Sequence, residues 1–213
     1  MIDLLRQVMP LHKAMTKCRW PRLVGSEIKG KTVGLLGFGA IAKLVAKMLT
    51  GFDCHVVAYD LYPDTEAAEK LGVTLATWEE VVTASDIVSV HIPATSETYH
   101  MFNAETIASM KDGACLINCA RGALIDLDAL ADALLSGKLA GAGIDAFEVE
   151  PLPADAKILM CENLVLTPHT GAETAESYQR VSITAVKDIV RVLDGKEPEH
   201  LVKGLGIQMG LLR

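Results

Sequence analysis

A doubly wound α/β fold, three layers with helices on both faces of a parallel sheet, is what these 213 residues predict. Six short apolar runs recur along the chain, "KTVGLLGF", "CHVVAYD", "DIVSVHI", "GACLINCA", "GAGIDAF" and "NLVLTPH", with stretches at helical spacing between them. The runs are nearly continuous Val, Ile, Leu and Ala rather than alternating, which is how strands buried on both faces read. Half of the residues are hydrophobic, enough to bury a sizeable core without covalent staples.

Taken in order, the chain opens on a helical segment, "IDLLRQVMPLHKAM", with Ile2, Leu5 and Met9 at helical spacing. Pro10 is expected to kink it or end its first turns, because proline supplies no backbone N–H. The irregular stretch "RWPRLVGSEIKG" then leads into "VGLLGFGAIAKLVAKML", residues 33–49, which reads as strand, glycine-rich turn and helix. Further on, Asp126 is placed to cap the helix "LDALADALL", and "SGKLAG" stops that helix at glycine. The stretch "EVEPLPADAKILMCEN" is the one long irregular connection, and such loops on α/β sheets carry function. A last helix is expected over 173–194. These signals divide the chain into a helical segment over 1–24, a sheet domain over 25–172 and a helix with tail over 173–213.

Composition narrows the function. Lys and Arg number 20 against 27 Asp and Glu, a net charge of -7, with no basic cluster to track a phosphate backbone, so nucleic acid is not an expected partner. Nor is a membrane: no stretch reaches the roughly 18 apolar residues of a span, and the N-terminus lacks the pattern of a secretory signal. The five cysteines form no CxxC pair and lack histidines at metal-ligand spacing, so no metal site is expected and reduced thiols in a cytoplasm fit best. Cys115 and Cys119, in phase on one apolar run, are expected as small buried hydrophobes.

A glycine-rich turn alone is common, but this one follows a strand, opens a helix and precedes a second strand ending in Asp60, 23 residues after Gly37. That context is the dinucleotide-binding pattern of a Rossmann fold. Gly37 would make the tight turn, and Gly39 would let a pyrophosphate approach the N–H groups at the helix start. Ala42 stands where a third glycine is usual. The position only has to admit close packing of helix on strand, so a methyl group is tolerable. Asp60 would accept hydrogen bonds from the adenosine ribose and repel a 2′-phosphate, which favours NAD over NADP.

Three polar residues lie at the carboxyl ends of later strands, the edge where ligands bind in open α/β sheets. They are Arg121 after "LINCA", Glu150 shortly after "GIDAF", and His169 ending "LVLTPH". Each alone has an ordinary structural explanation. Together they suit hydride transfer to a 2-oxo acid: a histidine to give the proton, a carboxylate to favour its charged form, and a guanidinium to clamp oxygens.

From "CRWPRLVGSEIKGKTVGLLGFGAIA" through "VSVHIPATSETYHMFNAETIASMKDGACLINCARGALID" and "GAGIDAFEVEP" to "VLTPHTGAET", the sequence resembles the NAD-binding half of the D-isomer-specific 2-hydroxyacid dehydrogenases. The resemblance implies an NAD-dependent oxidoreductase acting on a 2-hydroxy or 2-oxo acid, with Arg121 of "NCARG" as the substrate-binding arginine. It makes Glu150 of "EVEP" the acid, and His169 of "TPHTGA" the proton donor and acceptor. It implies that Asp145 of "GID" contacts the nicotinamide carboxamide. Cofactor-lining positions implied in the same way are Ala40, Ile41, His91, Ile92, Pro93, Thr98, Cys119, Ala120 and Gly171. A homodimer, built on the opening helix packing across a two-fold axis, is implied as well.

Two departures from the family pattern matter. Ala40 stands where arginine is common, so cofactor binding is expected to rest on backbone amides and Ile41. Family members also carry a domain-sized segment ahead of the opening helix, and most of that substrate domain is expected to be absent here. NAD binding is then expected to survive, with turnover much reduced unless another chain completes the cleft. The rival expectation is a catalytically silent NAD-binding or dimerisation module.

Overall fold

The computed structural model of the chain describes residues 1–201. They fall into two compact units, Met1–Gly171 and the segment from Ala172 onward. The described residues of the second include one long helix, Ala175–Leu193, capped by the Thr174 hydroxyl, and the turns after it. The tail that the sequence reading placed after this helix lies, from residue 202, outside the described residues.

The first unit is a parallel sheet of seven strands: β1 (Thr32–Leu36), β2 (His55–Tyr59), β3 (Thr74–Leu75), β4 (Ile87–Val90), β5 (Ala114–Asn118), β6 (Leu139–Ile144) and β7 (Leu164–Leu166). Their order across the sheet is β3-β2-β1-β4-β5-β6-β7. Six of these are the runs read in the sequence. The seventh, β3, was not anticipated: it is two residues long at the sheet edge, pairing Thr74 with Val57 and Leu75 with Ala58, too short for any apolar period.

The chain leaves β1 for one side of the sheet and later for the other, so the order reverses between β1 and β4. A crevice opens beyond the carboxyl ends of those two strands, and ligands of open α/β sheets bind there. β4 and β5 are buried at every residue, as their continuous apolar runs require. One apolar cluster fills the face under Val81, Phe102, Leu116 and Leu130, and another the face under Leu4, Val33, Leu35 and Ala46.

The opening segment is two helices, α1 (Ile2–Leu5) and α2 (Val8–Met15). The break falls at Gln7, whose φ of 52° is left-handed, and not at Pro10. Pro10 sits in the first turn of α2, where its missing N–H has no helical acceptor to lose. Leu4 is buried against β6 and β7, whereas Ile2 and Met9 are exposed.

Local signals place the helix before β6 as the sequence indicates. Asp126 accepts from the N–H groups of Asp128 and Ala129 to cap the helix Leu127–Leu135, a contact worth about 1 kcal/mol. Gly137 then turns the chain with φ at +79° into β6.

Candidate active site

The glycine turn sits at the crevice. Gly37 has φ at +91°, and a Cβ there would stand 2.7 Å from the carbonyl oxygen of His91, so only glycine lets β1 turn this close to β4. Gly39 differs: the space where its Cβ would be is open, and it is the N-cap of α3 (Ala40–Leu49). The N–H groups of that first turn have no partner within the helix, and Ala40 and Ile41 are both exposed there. An anion fits this opening, held by backbone donors and the helix dipole. Ala42, at the third fingerprint position, is wholly buried, and its methyl group is part of the core beneath the sheet.

Asp60, just past β2, accepts from the Phe38 N–H at 2.6 Å and the Tyr62 N–H at 2.8 Å. The carboxylate thus holds the glycine turn against the second strand. Asp60 thus has a structural role at the strand end beside the ribose contact expected of it, and a carboxylate has lone pairs for both tasks.

A cavity of about 640 Å³ lies beside the turn, lined by Ile41, His91, Ile92, Pro93, Cys119, Ala120 and Arg121 among others. Its size suits a cofactor or drug-sized ligand. His91 is largely neutral in it, since burial pushes the imidazole down to about 4, and its Nε2 lies 3.0 Å from the Ser89 hydroxyl. Thr98 does not line this cavity. Its hydroxyl donates to the Pro93 carbonyl at 2.9 Å and accepts from the Thr95 N–H at 2.8 Å, closing the turn that follows Pro93.

Cys119 corrects the expectation of a buried hydrophobe. Cys115 is buried on β5, but that strand ends at Asn118, so Cys119 lies past it, exposed at the cavity. Partial burial, with Asp145 nearby, raises its thiol above the ordinary cysteine value, so it is protonated near neutrality.

The three polar candidates come from three strand ends. Arg121 begins a short turn after β5, exposed, its Nη1 donating to the Ala120 carbonyl at 2.7 Å. Buried Asn118 shapes that turn: its side chain donates to the Arg121 carbonyl at 2.8 Å and accepts from the Ala120 N–H at 3.0 Å. Only its position before the cysteine at a strand end could have signalled this role. Gly122 is pressed onto the loop after β6, where a Cβ would overlap the Phe147 carbonyl carbon and the Glu148 nitrogen. The Arg121 turn and the Glu150 loop are therefore packed together as one wall.

On that loop Glu150 accepts from the Phe147 N–H at 2.9 Å, and its Oε2 lies 3.0 Å from His169 Nδ1. The Phe147 N–H first and His169 second hold this carboxyl below the ordinary glutamate range. His169 follows β7 at φ 56°, a backbone conformation few non-glycine residues adopt. Its N–H donates to the Asp145 carbonyl at 2.7 Å.

Asp145, at the end of β6, is 5% exposed, and its carboxylate accepts from the N–H groups of Thr170 and Gly171, both at 2.9 Å, and from the Thr167 hydroxyl. Burial alone would raise its pKa, but these donors and nearby His169 hold it low. It stays charged, and it fixes the turn that aims His169 and Gly171. A second cavity of about 580 Å³, mainly apolar, is lined by Phe147, Glu150, Pro151, Leu152, Leu166 and Thr167. No local sequence pattern marks it, because its wall is assembled from separate loops.

A parallel sheet in this order, a glycine turn at the point where the order reverses and an acid closing the second strand define a dinucleotide-binding domain of Rossmann type. The family model described as D-isomer specific 2-hydroxyacid dehydrogenase, NAD binding domain, matches residues 1–171, and the chain belongs to that family. It is 38% identical over 204 residues to a glyoxylate reductase of Thermofilum pendens, covering 92% of this chain and 60% of that one. It is 41% identical over 199 residues to a hydroxypyruvate reductase of Thermotoga maritima, with 91% and 63% covered. A D-3-phosphoglycerate dehydrogenase of Bacillus subtilis is 41% identical over 198 residues, with 92% and 38% covered. The chain thus spans between 38% and 63% of the length of these relatives. Among solved structures, D-lactate dehydrogenase with NAD+ from Lactobacillus jensenii superposes with a TM-score of 0.85 at 29% identity, covering 95% of this chain and 66% of that one.

Proposed function

We propose that this chain is the cofactor-binding part of an NAD-dependent oxidoreductase that interconverts a 2-hydroxy acid and a 2-oxo acid. The observation that carries the reading is the His169–Glu150 pair, 3.0 Å apart, on a loop packed against the turn of Arg121, which itself lines the cavity at the glycine turn. Bound NADH would supply a hydride to the 2-carbon of the oxo acid. The rest falls to the chain's own residues.

His169 Nδ1 is engaged by Glu150, which leaves Nε2 to give its proton to the substrate oxygen as negative charge develops there. Glu150 orients the ring through its contact with Nδ1. Arg121 clamps the substrate carboxylate and polarises the carbonyl. In the oxidative direction His169 takes the hydroxyl proton instead. Asp145, Gly171 and the segment His91, Ile92, Pro93 would face the nicotinamide half, with Cys119 and Ala120. The N–H groups at Gly39, Ala40 and Ile41 would take the pyrophosphate, and Asp60 the ribose. Thr98 acts through the turn it closes. Oxidation of NADH on adding a 2-oxo acid, lost in a folded His169→Ala variant, is the result this reading requires.

A second reading is a cofactor-binding or dimerisation module without turnover, the module to which the matched family model corresponds. A homodimer through α1 and α2 belongs to both readings, motivated by Ile2, Val8, Met9 and Met15, all exposed on those helices. Sedimentation showing only monomer at high micromolar concentration would remove it. The helix Ala175–Leu193, with Val181, Val186 and Ile189 exposed, is proposed to pack on a substrate domain. No helix among the described residues is long and apolar enough to cross a membrane. Five free thiols favour a reducing compartment, and we place the protein in the cytoplasm.

A further inference from the structure

A second carboxylate on the catalytic loop is engaged in a way the proposed chemistry does not use. Glu148 Oε1 accepts from the Tyr99 hydroxyl at 2.8 Å, and its Oε2 lies 2.8 Å from His100 Nε2. The two rings are stacked, with centroids 4.0 Å apart and planes 13° from parallel, so they present both polar atoms to one carboxylate. His100 has φ at 46°, and its N–H donates to the Ala123 carbonyl at 2.8 Å. The segment then runs alongside the Arg121 turn, where the Phe102 N–H donates to Leu124 at 3.0 Å.

Three pieces of the cleft wall therefore meet here. The Thr98–His100 segment continues the cofactor-lining residues. The Arg121 turn is tied to it through backbone, and Gly122 of that turn is pressed against Phe147 and Glu148. Glu148 is the side chain that ties the remaining edge, joining the first piece to the third. Phe147, next to it, is the residue whose N–H donates to Glu150 at 2.9 Å.

We propose that Glu148 is a positioning residue: by bridging Tyr99 and His100 it fixes the backbone at Phe147, so that the Phe147 N–H holds Glu150 against His169. The proposal rests on Glu150 being the partner of His169. It gives the cleft a mechanical link between the cofactor-lining segment and the acid, with no contact between Glu148 and the reacting atoms. The titratable groups facing the clamp are His100 and Asp126; those facing Glu150 are His169 and Asp145.

The test needs no turnover and so stands apart from the assay of function. Amide hydrogen exchange at Phe147 and the carboxyl titration of Glu150, both by NMR, are compared in the unaltered chain, Glu148→Ala, Glu148→Gln and Tyr99→Phe. In Glu148→Ala we expect Phe147 exchange to rise by about tenfold or more, the effect of losing hydrogen bonds to a charged acceptor. We expect the Glu150 carboxyl to move up toward its ordinary value, and amides of β1 to keep their protection. Tyr99→Phe should give a smaller change in the same direction. Glu148→Gln, which retains an acceptor for the Tyr99 hydroxyl, should recover most of the protection. Unchanged Phe147 exchange and Glu150 titration in a folded Glu148→Ala chain would overturn the proposal. So would loss of protection spread equally over β1, which would make Glu148 a general stability residue.

Discussion

The position a Cβ would take on Gly37 is 2.7 Å from the carbonyl oxygen of His91, and these two residues close the strands that flank the crevice. Gly37→Ala therefore meets backbone and not a movable side chain, at a φ of +91° that L residues rarely adopt. We expect a loss of about 2–4 kcal/mol, the range of overpacking combined with backbone strain, read by urea unfolding. NADH fluorescence titration should show weaker binding in the same variant. Equal stability would mean that β1 and β4 can part without cost.

Asp60 joins two functions that Asp60→Ala should separate from each other. Removing the carboxylate frees the Phe38 and Tyr62 N–H groups and removes the charge opposed to a 2′-phosphate. We expect NADH affinity to fall about tenfold, the cost of one or two bonds to a charged acceptor, while NADPH affinity falls less or rises. A parallel fall for both cofactors would place Asp60 in the turn alone.

His91 makes stability depend on pH. Its imidazole is held neutral down to about 4, whereas an unfolded histidine takes up a proton near 6.5. The unfolded state thus binds more protons between those values, and stability falls as pH falls through the window. Between pH 7.5 and 5 we expect this one group to remove about 2 kcal/mol. His91→Gln should flatten the profile over that interval in urea unfolding at stepped pH. An unchanged slope would show that His91 is solvated.

The sheet was legible because burial on both faces writes continuous apolar runs, and its six readable strands are where those runs lie. β3 was not, since two residues at an edge carry no pattern. The helix break at Gln7 was misplaced to Pro10 because a proline in a first turn and a proline that breaks a helix look alike in sequence. His169, Glu150 and Arg121 could be picked out as polar residues at apolar strand ends. Cys119 was misread because one residue past a strand end changes buried to exposed. Asn118 and Glu148 act through backbone turns and a clamp formed by distant segments. No local spacing records such contacts.

Asp145 holds the turn that carries His169, and Asp145→Ala should release it. The freed N–H groups of Thr170 and Gly171 should exchange faster in hydrogen-exchange NMR, by about tenfold or more. Protection unchanged at both amides would place the control of that turn elsewhere.

The most direct measurement is single-turnover oxidation of NADH, with the chain in excess over cofactor, on mixing with hydroxypyruvate, glyoxylate or pyruvate. It is made for the unaltered chain and for folded His169→Ala and Glu150→Gln variants. We expect oxidation by the unaltered chain with at least one oxo acid, slowed about 10²–10⁴-fold in His169→Ala and less in Glu150→Gln, as loss of a general acid and of its charged partner requires. Equal rates in all three chains would contradict a proton transfer through His169 and, with it, the assignment of this wall as the catalytic one.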